Sequence, residues 1–155
     1  MPTIILTVPP RIEREIIRVA KKAFPREMYG ILLGTVAGNA VHLDELYVPE
    51  DVDEFATDCS VTPQPGWFAD ANDFAKDEEL VSLGWVHSHP YRLRETTRHI
   101  MRDRAHSEAD MDAFPPGMLI SGICVVQEFS RKGTPTLRSS IRWWGPHVSV
   151  AVKSK

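Results

Sequence analysis

The sequence predicts an α/β domain in which a mixed sheet is packed by helices. Three observations predict it. Short apolar, β-branched runs recur along the chain as strands. Two segments, one from about Arg11 to Phe24 and one beginning at Pro65, carry apolar residues at helical spacing between those runs. One pair of runs flanks Ala37-Gly38-Asn39, which is turn chemistry and makes an antiparallel hairpin. Helices interleaved with strands, one pair of them a hairpin, give a mixed sheet with helical cover. The length of 155 residues suits one unit spanning 1–155.

Taken in order, Thr3 to Val8 reads as a first strand, closed by Pro9-Pro10. The helix that follows places Ile12, Ile16, Val19, Ala20, Ala23 and Phe24 on one face and Arg14, Arg18, Lys21 and Lys22 toward water, and Pro25 ends it. The apolar run after Gly30 is a central strand, and Ala40 to Val48 returns beside it. Pro49 to Cys59 is acidic and reads as irregular. In the second helix Trp67, Phe68, Ala71, Phe74 and Ala75 share a face, opposite Asp70, Asp73, Asp77, Glu78 and Glu79. Leu80 to His87 is a buried strand that Pro90 should stop, because proline has no amide hydrogen for the ladder. Tyr91 to about His106 holds five arginines and reads as an exposed insertion. Ser107-Glu108-Ala109-Asp110 has the form of a helix start, with a serine cap and carboxylates in the first turn. Pro115-Pro116-Gly117 closes that helix. Met118 to Val126 is a strand, Gly133-Thr134-Pro135 a turn, and Leu137 to Trp144 the last strand.

Composition excludes several classes. Apolar residues make up 43% and charged residues 25%, ordinary for a globular chain. A net charge of −3 argues against general nucleic-acid or membrane binding. No apolar run approaches the roughly 18 residues of a membrane span, and the start shows no signal-peptide pattern, so the expected address is cytoplasmic. Two distant cysteines, Cys59 and Cys124, make neither a disulfide framework nor a CxxC site.

The chemistry centres on His87-Ser88-His89-Pro90. Residues i and i+2 of a strand face the same way, so both imidazoles aim at one point near the strand end. They amount to two ligands of a three-ligand zinc site, which keeps one position open for water. Asp110 offers a carboxylate as third ligand, and Asp112 competes with it from another helix face. Glu27, at the mouth of the central strand, can serve as acid and base. Ser107, one turn before Asp110, can donate to an oxyanion. Read alone, an HxH pair is more often structural, Glu27 a surface residue, and Ser107 only a cap. His42, His99, His106 and His147 read as plain histidines. A nucleophilic role for Cys59 lacks the positive surroundings that activate a thiol.

Together these segments resemble the JAMM, or JAB/MPN, metalloproteases. The family pattern is a glutamate, then His-Ser/Thr-His-Pro, then Ser-x-x-Asp. Glu27 heads Glu27-Met28-Tyr29-Gly30-Ile31-Leu32-Leu33-Gly34, His87-Ser88-His89-Pro90 matches the double-histidine motif with Gly84-Trp85 before it, and Ser107-Glu108-Ala109-Asp110 matches the third. The resemblance covers Glu27 to about Val126. It implies a three-layer α/β/α fold like that of cytidine deaminases, with zinc held by His87, His89 and Asp110, Glu27 as acid/base and Ser107 at the oxyanion. It also implies hydrolysis of an isopeptide or peptide bond after the C-terminal tail of a ubiquitin-like or sulfur-carrier-like protein. The free-standing form looks like the prokaryotic branch. One departure stands out: sixteen residues, Tyr91 to His106, separate the histidine motif from the serine, more than the family usually has, and Arg98 stands where the serine would normally fall. The insertion is expected to loop out beside the site, either as a solvated segment or as a clamp on an acidic substrate surface. The alternatives are a related hydrolase of cell-wall or phage-tail peptides and a non-catalytic scaffold.

Overall fold

Helix α1 (Pro10–Ala23) begins at a proline, whose missing amide hydrogen would have had no partner there. Glu13 in its first turn and Lys21 and Lys22 in its last suit the helix dipole. Ile12, Ile16 and Ala20, each four residues apart, are its buried stripe. Helix α2 (Pro65–Asp77) repeats the device with Trp67, Ala71 and Ala75, while Phe74 is 40% exposed and does not join the predicted face. It ends on Glu79 in the left-handed region (φ 59°), where Leu80 N–H bonds Ala75 O at 2.7 Å and Glu79 N–H bonds Lys76 O at 3.2 Å. That is a Schellman closure made with a non-glycine residue.

The computed structural model describes residues 2–93 and 117–154. Among the described residues seven strands form one sheet: β1 (Thr3–Thr7), β2 (Tyr29–Ala37), β3 (Ala40–Tyr47), β4 (Val81–Tyr91), β5 (Ile120–Arg131), β6 (Thr134–Trp144) and β7 (Ser149–Lys153). Their order is β6-β5-β4-β2-β3-β1-β7. β4–β5, β1–β3 and β1–β7 run parallel and the remaining neighbours antiparallel, so the sheet is mixed, as expected. Its two faces belong to different helices. Leu32, Val86 and Cys124 pack with α1, and Ile31, Leu33 and Trp85 pack with α2. The architecture is therefore three layers, α/β/α. Burial pushes the Cys124 thiol up to about 12.

The sheet is not flat. β6 and β7 stand at its two ends, yet only residues 145–148 join them. Seven flat strands would put those ends about 29 Å apart, at about 4.8 Å per step. The chain from Trp144 to Ser149 reaches at most about 18 Å. The sheet therefore curls around α1, which touches β3, β5 and β6.

Three expectations are corrected. Pro90 does not stop its strand: β4 pairs with β5 through Pro90↔Val126 and Tyr91↔Gln127. Pairing with β2 has already ended at Tyr29↔His87, so the missing amide hydrogen of Pro90 interrupts no ladder on that side. Leu137–Trp144 is not the last strand, because Ser149–Lys153 pairs with β1, and β6 already begins at Thr134, since an edge strand tolerates Pro135. Within the stretch read as irregular, Val52–Phe55 forms a 3-10 turn, anchored where Trp67 Nε1–H donates to Asp51 at 2.7 Å. Among the described residues no helix is long and apolar enough to cross a membrane.

Candidate metal centre

β4 crosses the middle of the sheet and carries Trp85, His87 and His89 on one face at a period of two. In the rows beside it, Tyr29 of β2 pairs with His87, and Ile31 with Trp85. The result is a continuous aromatic floor. Trp67 lies 5.4 Å from Tyr29, Tyr29 5.3 Å from Trp85, and Trp85 stacks on His87 at 4.7 Å with the planes 15° apart. Burial pushes the Tyr29 phenol above its ordinary value. His87 is 1% exposed and His89 half-buried. Their rings lie 4.8 Å apart, and the two Nε2 atoms 2.9 Å apart.

Glu27 reaches this point from the turn before β2, with only 6% of its surface exposed. Its backbone is held on two sides. The Glu27 N–H donates to Thr57 O at 2.8 Å. The next residue, Met28, donates its N–H to Ser88 Oγ at 2.7 Å and accepts from Ser88 N–H at 3.2 Å. Thr57 is itself fixed, because its Oγ1 takes the N–H groups of Cys59 and Ser60 at 3.2 and 3.1 Å. The segment before α2 and the residue between the two histidines thus clamp the carboxylate-bearing turn. One ligand atom from each of Glu27, His87 and His89 lies within 4.8 Å of the others.

The donor chemistry fits a metal. Two imidazole nitrogens and a carboxylate suit zinc and other divalent transition ions. Tetrahedral bonds of about 2.0–2.1 Å place two ligand nitrogens about 3.3 Å apart, and the observed separation of 2.9 Å is close to that.

Residues 9–132, well over half of the chain, match the family of prokaryotic homologs of the JAB domain. The chain belongs to this family. Among solved structures, the JAB-family chain is similar to protein DSY2949 from Desulfitobacterium hafniense. Identity there is 18% over 97% of this chain and 94% of that one, with a TM-score of 0.58, a likeness of fold. A JAB1/MPN domain protein from Archaeoglobus fulgidus, AF2198, matches at 15% identity over 96% and 98% of the two chains, with a TM-score of 0.49. No curated protein matches.

Of the five site residues expected for a JAB-family chain, Glu27, His87 and His89 come together. Ser107 and Asp110 lie outside the described residues, as do Asp112 and most of the arginine-rich insertion. Two contributors escaped the sequence reading, Ser88 and Thr57. Ser88 was legible as part of the motif, but its partner stands sixty residues earlier. Thr57 acts through its carbonyl, which leaves no side-chain signal. Cys59, on the same turn, is exposed.

Proposed function

We propose that this chain is a zinc-dependent JAMM-type peptidase that hydrolyses the bond after the C-terminal tail of a ubiquitin-like or sulfur-carrier-like protein in the cytoplasm. The observation that carries the reading is the convergence of Glu27 with His87 and His89 from separate elements, all within 4.8 Å. A surface glutamate and a structural histidine pair have no reason to meet in this way. Membership of the JAB family supports the same reading.

In this reading His87, His89 and Asp110 hold the metal. Bound there, zinc supplies Lewis acidity to the scissile carbonyl and brings a water within reach of neutral pH. The Glu27 carboxylate takes a proton from the attacking water and hands it to the leaving amine. Its clamped backbone fixes where that exchange happens. Ser107 donates to the oxyanion. The aromatic floor under His87 keeps bulk water from one side of the site and locks the ring plane, so the imidazole is oriented before a metal arrives.

Metal content of the purified chain tests this without knowledge of the substrate. About one zinc per chain is expected in the wild type, and less in Asp110→Asn. Glu27→Gln should keep the metal and lose hydrolysis of fusions to ubiquitin-like tails. Wild type that takes up no zinc, or Glu27→Gln with undiminished turnover, overturns the mechanism. Zinc indifferent to Asp110→Asn means that the third ligand lies elsewhere.

A further inference from the structure

The β5–β6 hairpin carries a second pattern on the face that bears the histidines. Alternation places Arg131 of β5 and Arg138 and Arg142 of β6 on this side. The sheet rows set their distance from the metal group. His87 pairs with Ile123 and Ile123 with Arg142, so Arg142 lies two strands away in the same row, about 10 Å across the sheet. Tyr91, Gln127 and Arg138 form the second row beyond it on this face, past His89, Val125 and Ser140. Arg138 and Arg142 are thus about 13 Å apart along one strand.

Both side chains are exposed and both are held. The Arg138 guanidinium lies 4.6 Å over the Phe129 ring, and that of Arg142 5.4 Å over Trp144. Stacking fixes the plane of each group and leaves its N–H edge for a ligand. Among the described residues neither arginine has a carboxylate partner. The single carboxylate of the hairpin, Glu128, lies on the alternate face and accepts the Leu93 N–H at 3.1 Å. Positive charge is therefore concentrated on this strip of a chain whose net charge is −3. Such a chain repels a polyanion as a whole while attracting a short acidic segment locally. Among the described residues β6 pairs only with β5, so an extended segment can also lie along its outer edge.

We propose that Arg138 and Arg142 dock an extended acidic peptide segment whose carboxylates stand four residues apart. The segment belongs to the protein substrate and flanks the tail that enters the metal centre. Its assignment to a substrate rests on the peptidase reading, whereas the docking itself does not.

The test is fluorescence anisotropy with the full chain and a labelled extended peptide bearing two glutamates four residues apart in a serine, threonine and valine background. It is run in chelator, with added zinc, and in Glu27→Gln. Wild type should bind this peptide several-fold tighter than one with adjacent glutamates and should not bind its lysine counterpart. The double variant Arg138→Glu/Arg142→Glu should weaken binding by about tenfold or more, and Arg138→Lys/Arg142→Lys by less, because lysine keeps the charge and loses the fork. Arg138→Gln/Arg142→Gln, compared with wild type by near-UV circular dichroism, separates lost contacts from lost folding. No binding by wild type, equal binding by the glutamate variant, or equal binding of a single-stranded DNA oligomer overturns the docking strip. In the first case hydrolysis of tail fusions would still leave the peptidase reading standing. Peptide binding in a chain that takes up no zinc supports the strip and overturns its assignment to a substrate.

Discussion

Ser88 turns its hydroxyl away from the histidines on either side of it and takes the Met28 amide hydrogen at 2.7 Å. Alternation requires this: residues 87 and 89 share one face of β4 and residue 88 faces the other. The hydroxyl is fully buried, so Ser88→Ala leaves a buried N–H without its acceptor. The expected loss is about 1–3 kcal/mol of stability, read as a lower urea midpoint. The same substitution should impair any activity that needs Glu27 in place while leaving the histidines able to take metal. An unchanged midpoint would mean that Met28 finds another acceptor. At this scale the histidines and Glu27 were legible, because period-two spacing and a motif are local. The clamps were not, since each joins residues that the fold alone brings together. The roles of Ser107 and Asp110 remain sequence readings.

Among the elements, α2 shows a local rule broken and tolerated. Its Schellman closure sets Glu79 at φ 59°, where a side chain costs about 1–2 kcal/mol and glycine costs almost nothing. Glu79→Gly should therefore stabilise the chain by about 0.5–1 kcal/mol, after allowing for the greater freedom of glycine in the unfolded state. Thermal unfolding checks it, and a lower midpoint would show that the Glu79 side chain supplies a contact worth more than the strain. Element by element, the β2–β3 hairpin and both helices could be read from turn chemistry and periodicity. β7 could not. Ser149–Lys153 is five residues long, and what makes it a strand is parallel pairing to β1, far away in the sequence. Pro90 misled for a related reason: which neighbour a strand uses at a given residue is a tertiary fact, and β4 had already left β2 when it reached the proline.

For the molecule as a whole, the curl around α1 makes β1 and β7 a structural closure. Ile4 and Leu6 of β1 pack in the α1 core, and Val150 of β7 packs against it. Val8 N–H bonds Lys153 O at 2.9 Å, and Ser149 N–H bonds Pro2 O at 2.8 Å. Removal of the residues from Ser149 onward should uncover the outer edge of β1 and open one side of that core. The expected result is a lower unfolding midpoint and concentration-dependent self-association, measured by size-exclusion chromatography. A truncated chain that stayed monomeric with unchanged stability would show that β7 closes nothing. The mixed α/β/α architecture was legible from the order of periodic segments. The curl was not, because it follows from which strands end up at the edges.

The pairing of β1 with β7 also imposes an order in time. The two strands are separated by more than 140 residues, and the ribosome adds roughly 5–20 residues per second. During synthesis β1 therefore waits about 7–30 s for its outer neighbour. Throughout that interval an apolar strand leaves the amides of its outer edge unpaired, in a chain whose other long-range pairings are also slow to form. The nascent chain, before any question of catalysis arises, is vulnerable to aggregation along the outer edge of β1, and a chaperone that covers Thr3–Thr7 during translation would raise its soluble yield.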